Sequence, residues 1–239
     1  MSYPKSAEAV QAPIDLLQEY ERKQIDLNAF LTKLQRMQRE DRRSFKIQNL
    51  NFSEADFANK NLQRLVFQHC NFEKARFGDL SHVLLDTCTL ENADFSNSDL
   101  DSVAFRGGLM KFTHWQSAEL DHCLFQDCDL TMARFVRTSL IQVVFKNSNL
   151  KQAIFAESAL ERACFSHCQG ILYLGSPHGY PFLAGRHPRR DNAVVIWAGC
   201  HEFTLSQARD YWKDDDDGRW MVPGLLQMVE LAEQKGWFD

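Results

Sequence analysis

Few residues in this chain have types and spacing suited to covalent chemistry, and they lie toward its C-terminal end. Cys200, His201 and Glu202 are consecutive, with His178 and His187 upstream. A thiolate nucleophile needs a base within hydrogen-bond reach. Adjacent residues on a strand point to opposite faces, so Cys200 and His201 are poorly placed to serve each other. No recognised cysteine-protease signature surrounds them. They read as a buried thiol beside a surface imidazole. A zinc site would need four ligands at tighter paired spacing. The run Asp214 to Asp217 lacks the alternating donors of a calcium loop and reads as solvated. Arg186, Arg189 and Arg190 are suited to a phosphate or to the acidic stripe described below, but they read by default as a solvated loop. No glycine-rich phosphate loop occurs. The expectation is of no catalytic residues, no metal and no cofactor, and of a non-enzymatic protein.

The elements that position these residues are dominated by one pattern. From Leu80 to Phe165 a large apolar residue recurs every five positions, and no polar residue interrupts the series. Two positions before each sits a small or compact one, such as Cys88, Ala93, Ser98, Cys123 and Cys128. A helix repeats its apolar face every 3.6 residues and a strand every two. A period of five fits a chain that turns a corner every five residues. Small and large residues two apart then both point inward, and four sides close a square coil. Coils stacked about 4.8 Å apart satisfy their backbones through parallel ladders. They build a continuous core from units that could not fold alone. A twenty-residue period sorts the apolar series into four columns. Phe95, Trp115, Phe135 and Phe155 form one aromatic column, and Phe105, Phe125, Phe145 and Phe165 another. Aliphatic columns separate them.

Segments such as Ala93-Asp94-Phe95-Ser96-Asn97, Ser98-Asp99-Leu100-Asp101-Ser102 and Ser148-Asn149-Leu150-Lys151-Gln152 resemble the motif of pentapeptide-repeat proteins over about half the chain. The resemblance implies a right-handed quadrilateral β-helix. It also brings in a family that includes proteins protecting DNA gyrase by imitating duplex DNA, besides many members of unknown role. The expected fold is mainly β. Residues 1–44 form an N-terminal helical cap, residues 45–169 a β-helix of about six coils, and residues 170–239 a small α+β domain.

The chain has 239 residues, 44% of them hydrophobic, and a net charge of −5. That balance argues against general nucleic-acid binding and permits a partner with a basic surface. The first thirty residues lack the apolar core of a signal peptide, and no apolar run approaches a membrane span. Seven cysteines without framework spacing read as a reduced, cytoplasmic protein, with export lacking a cleavable signal as the other possibility.

Taken in order, residues 1 to 12 read as polar and loose. Helical spacing follows through Ile14, Leu17 and Tyr20, and again from Leu27 to Met37, with Asp26 as a cap. The charged run Arg36 to Arg43 reads as a solvated helix end. Repeats begin near Ile47. Lys60 falls at an inward position, so either its coil is distorted or its side chain escapes. The phase breaks between Phe77 and Leu80 by a two-residue deletion or a three-residue insertion. After Gly170, short strands are expected at Ile171 to Leu174 and Pro181 to Leu183, and a charged loop from Arg186 to Asp191. A buried strand follows at Ala193 to Trp197. A helix opens on the capping box Thr204 and Gln207, and a last helix spans Pro223 to Lys235. The segment Val195 to Cys200 followed by a capped helix resembles a small module of bacterial and phage-encoded proteins.

Two outward stripes carry what the repeats say about binding. Asp99 stacks over Glu119 and Asp101 over Asp121, and a deletion at the phase break would add Asp79. Acidic residues crowd positions 79 to 129, opposed there by Arg106 and Lys111, whereas Arg134, Arg137, Lys146, Lys151 and Arg162 reverse the sign beyond. The positive far end weighs against imitation of DNA along the full length. The second stripe is apolar: Leu84, Ala104, Leu124, Val144 and Cys164. Such a band marks a covered surface or an interface, with the terminal segments or another subunit as candidates. The leading functional reading is a protein-interaction scaffold whose partner is another protein or a second copy. It includes no direct nucleic-acid or membrane binding. The alternatives are a DNA-mimicking protector or inhibitor of a type II topoisomerase, and an effector or toxin-associated protein acting through its C-terminal domain.

Overall fold

The computed structural model describes residues 9–41, 43–174, 182–198, 201–212 and 221–238. His178, Cys200 and Asp214 to Asp217 lie outside the described residues.

The five-residue period becomes a four-sided β-solenoid of about six coils over residues 45–166. Each large residue points inward. Two positions later the chain turns with a left-handed residue: Asn92, Asn97, Ser102, Gly107, Phe112, Ser117 and His122 all have φ between 54° and 60°. That conformation is costly for residues other than glycine. It persists because the flanking backbone is tied to the next coil on every side, for example by Phe95 N–H to His114 O at 2.8 Å and Leu90 N–H to Leu109 O at 2.7 Å.

Coil length follows from the register. Leu80 pairs with Leu100 and Leu100 with Leu120. Leu62 pairs with Leu80 across a coil two residues shorter. The phase break is therefore a deletion. It is absorbed at Gly78, where an added Cβ would lie 2.6 Å from Ala58 O and 2.8 Å from Phe57 O of the preceding coil. The two aromatic columns stack ring on ring, with Phe95–Trp115 centroids at 4.1 Å and Phe105–Phe125 at 4.8 Å. The columns meet edge to face at the centre, as at Phe95–Phe105. The corner at Lys60 departs from the pattern: Asn59 lacks the positive φ of Glu54 and Arg64, while Lys60 N–H reaches Phe57 O at 2.8 Å and the residue is half exposed.

Both ends of the stack are closed. Helix α1 (Ile14–Glu21) and helix α2 (Leu27–Asp41) cover the first coil. Tyr20 stacks on Phe52 at 5.2 Å and Phe30 lies 6.1 Å from the same ring. Asp26 caps α2 by accepting from Ala29 N–H. The charged run at the end of α2 is less solvated than its composition suggests. Gln38 is buried there, and its Nε2 donates to Gln63 O and Arg64 O at 2.6 and 3.1 Å. Part of the expected loose N-terminus is ordered too: Val10–Gln11 adds a parallel strand beside Phe45–Lys46.

At the other end Gly170, with φ +80°, turns the chain out of the solenoid; an added Cβ would collide with Lys151 Cα. An antiparallel sheet follows in the order Ile171–Tyr173, Phe182–His187, Ala193–Ala198, His201–Thr204. Its second strand continues beyond Leu183 through Arg186 and His187, so the charged loop is shorter than the sequence suggests. Pairing with Ala193 and Val194 on the next strand holds those two residues in the ladder. Ile171, Leu183, Val195 and Trp197 complete the solenoid core. The opposite face packs on helix α3 (Leu205–Trp212) and helix α4 (Met221–Gln234) through Ala208, Trp212, Leu226 and Val229. The Thr204–Gln207 capping box forms in both directions, at 2.9 and 3.2 Å.

Candidate functional site

The acidic stripe becomes a ridge on one side of the solenoid. Three parallel strands carry it, and their inward residues Leu80, Leu100 and Leu120 are buried. Alternation on a strand turns the residues on either side of each leucine outward. Register then places Asp99 against Glu119 and Asp101 against Asp121. The deletion brings Asp79 into line, and its carboxylate accepts from Asp99 N–H at 3.0 Å. The next coil ends the ridge, with Ser139 beside Glu119. Burial, then repulsion from Asp79, Glu119, Asp101 and Asp121, raises the Asp99 carboxyl above its ordinary value.

Two histidines belong to the same patch and escape a reading of the repeats alone. His122 Nδ1 lies 2.7 Å from Asp121 Oδ1, and His82 Nδ1 lies 3.8 Å from Asp101 Oδ2. Both occupy left-handed corners. Both lie beyond the phase break, so the twenty-residue period alone sets them two coils apart.

The apolar stripe is graded. Leu84 and Ala104 are fully buried, Leu124 nearly so, Val144 half-buried and Cys164 exposed. The buried members form a small cluster with Val66 and Ala9 on the outer face of the sheet. Leu84 and Leu124 are thus enclosed in the folded chain.

Among the described members of the C-terminal cluster, Glu202 and His187 come together and His201 packs elsewhere. His187 and Glu202 do approach, with Nε2 to Oε2 at 3.7 Å. Glu202 also accepts from Trp197 Nε1 at 2.9 Å and pairs with Arg190 Nε at 2.8 Å. This nearly buried carboxylate is tied down on several sides as a structural group. His187 Nδ1 accepts from Arg189 N–H, and burial holds the imidazole below its ordinary pKa. His201 lies on the exposed strand, beside Phe203 and Tyr211. Arg186 reaches Asn192 O and Glu233, so two of the three arginines meet groups of the C-terminal unit instead of the acidic ridge. The inward thiols of Cys123 and Cys128 are pushed up to about 12 by burial, which leaves them as compact core residues without nucleophilic character.

A solenoid with this register defines a class, repeat proteins built from square coils. The family model for pentapeptide repeats matches in eight copies, over residues 47–78, 118–155 and 133–169. The chain belongs to the pentapeptide-repeat family. None of the curated proteins matches it. Among solved structures, full-length QnrB1, a plasmid-mediated fluoroquinolone resistance protein, is 21% identical over 54% of this chain and 76% of its own, with a TM-score of 0.25. Rfr23 from the cyanobacterium Cyanothece 51142 is 15% identical over 53% and 80%, with a TM-score of 0.18. HetL from Nostoc sp. strain PCC 7120, a protein involved in heterocyst differentiation regulation, is 15% identical over 53% and 83%, with a TM-score of 0.13. The likeness concerns the fold alone. No helix among the described residues is long and apolar enough to cross a membrane.

Proposed function

We propose that this protein is a non-enzymatic interaction scaffold whose acidic ridge docks a partner protein with a basic surface. The observation that supports this reading is the registered stack of Asp79, Asp99, Asp101, Glu119 and Asp121 on a rigid wall. Like charges held at coil spacing repel one another. A basic surface would relieve that repulsion and gain from preformed complementarity. In this reading residues 1–44 act as cap, 45–169 as display wall and 170–239 as closing unit. Val144, at the open end of the apolar stripe, extends the candidate contact surface, whereas Leu84 and Leu124 support it from beneath.

The test compares chelator-treated wild type with a variant carrying Asp99→Asn, Asp101→Asn, Glu119→Gln and Asp121→Asn. The expected result is a partner retained by the wild type at low salt, released as salt rises, and not retained by the variant. Equal retention by the two proteins would falsify the ridge as the docking surface. The same acidic ridge favours one second reading, in which the partner is a type II topoisomerase. An effect on gyrase supercoiling that the variant lacks would support it, and no effect at excess protein would remove it.

A further inference from the structure

We propose that Asp101, Asp121 and His122 form a binding site for a divalent transition-metal ion of the zinc class, spanning two neighbouring coils. One donor atom from each lies within 4.8 Å of the other two, and this is the one such group of three among the described residues. The donor set suits this class of ion. Imidazole favours zinc and its neighbours in the transition series, and two carboxylates balance a double positive charge. Calcium takes six to eight oxygen ligands, far more than this site supplies.

The scaffold fixes the donors in advance. Asp101 and Asp121 are register partners on adjacent parallel strands, each beside a buried leucine. His122 sits at a left-handed corner with φ 54°, and Ser102 and His82 occupy the same corner one and two coils earlier with nearly the same φ. With metal–ligand bonds of about 2.0–2.2 Å, tetrahedral donors lie roughly 3.4 Å apart. Reaching that spacing means opening the His122–Asp121 pair from 2.7 Å and drawing in the donors that lie up to 4.8 Å apart. Asp101 is also supported from behind. Ser102 Oγ donates to its Oδ1 at 3.0 Å, and His82, itself 2.9 Å from Ser81 Oγ, faces its Oδ2. Outer contacts of this kind orient ligands. The Asp101, Asp121 and His122 side chains are 50%, 57% and 32% exposed, so an ion can enter and water can fill its fourth position. The following coil places the exposed, apolar Ile141 at the next position of this series, which ends the site there.

The metal site requires only the chain and the ion, and so stands apart from any protein partner. The test is calorimetric titration of Zn²⁺ into the full chain in a non-chelating buffer, in a Cys164→Ser background because that thiol is exposed. Saturable binding of a single ion per chain is expected. Asp121→Asn and His122→Gln should each weaken it at least tenfold, and Asp129→Asn should leave it unchanged. Thermal unfolding should shift upward with zinc relative to chelator in the background protein and not in the two ligand variants. Far-UV circular dichroism checks that each variant keeps its fold. Absence of saturable binding, or an affinity in both ligand variants equal to that of the background protein, overturns the site. Because the partner experiment uses chelator-treated protein, either proposal can fail without the other.

Discussion

Gly78 shows how much a single residue decides in a stack of coils. It occupies the shortened corner, where a methyl group would press on backbone atoms of the preceding coil. Backbone held in a ladder cannot yield as a flexible side chain would. Gly78→Ala should therefore cost about 2 kcal/mol by overpacking, read as a lower midpoint in urea with an unchanged slope. Phe112 presents the reverse case. It is exposed and bulky at a left-handed corner, φ 59°, where asparagine is better tolerated. Phe112→Asn is expected to raise stability by about 1 kcal/mol in the same measurement; a loss would show that the ring makes a contribution beyond its backbone geometry.

At the scale of elements, the C-terminal sheet carries a histidine whose protonation the fold opposes. His187 is buried, accepts a hydrogen bond at Nδ1, and has a pKa held low chiefly by burial. His114, on the solenoid wall, is also held low, first by burial and then by Arg134. A histidine with a depressed folded pKa binds fewer protons when folded than when unfolded. Its stabilising effect is complete above the ordinary value of about 6.5 and is lost as pH falls below it. Unfolding free energy should thus decline from about pH 7 toward pH 5.5. His187→Gln should flatten that slope. A slope identical to wild type would mean that the fold does not lower the His187 pKa.

At the scale of the whole molecule, the two closing units do the same work by different means. Helices α1 and α2 cover the first coil, and Gln38 satisfies carbonyls at its edge. The antiparallel sheet seats Trp197 against Phe155 at 5.8 Å at the far end. Open solenoid ends present unpaired backbone and invite association. A chain truncated after Gln169 would uncover Phe155, Phe165 and their neighbours. It should associate or aggregate in light scattering at concentrations where the full chain does not. A truncated chain that stays monomeric and as stable as the full one would refute the capping role.

Much of this architecture is written in the order of residues, because a period of five with small and large partners two apart is incompatible with a continuous helix or strand. The four columns, the capped helices α2 and α3, and the stacking of Asp99 on Glu119 all follow from counting by twenty or by helical turns. Counting fails where geometry enters. The phase break is compatible with deletion or insertion until the pairing of Leu62 with Leu80 places it. Only then does Asp79 join the ridge. The burial of Leu84, the closing role of Gln38 and the tethering of Glu202 depend on which distant surfaces meet. Local spacing specifies the coil, because each coil's inward and outward choices repeat within five residues. What covers the stack, and which side chains converge on it, is set by long-range packing, because those contacts join residues whose separation in sequence carries no periodic signal.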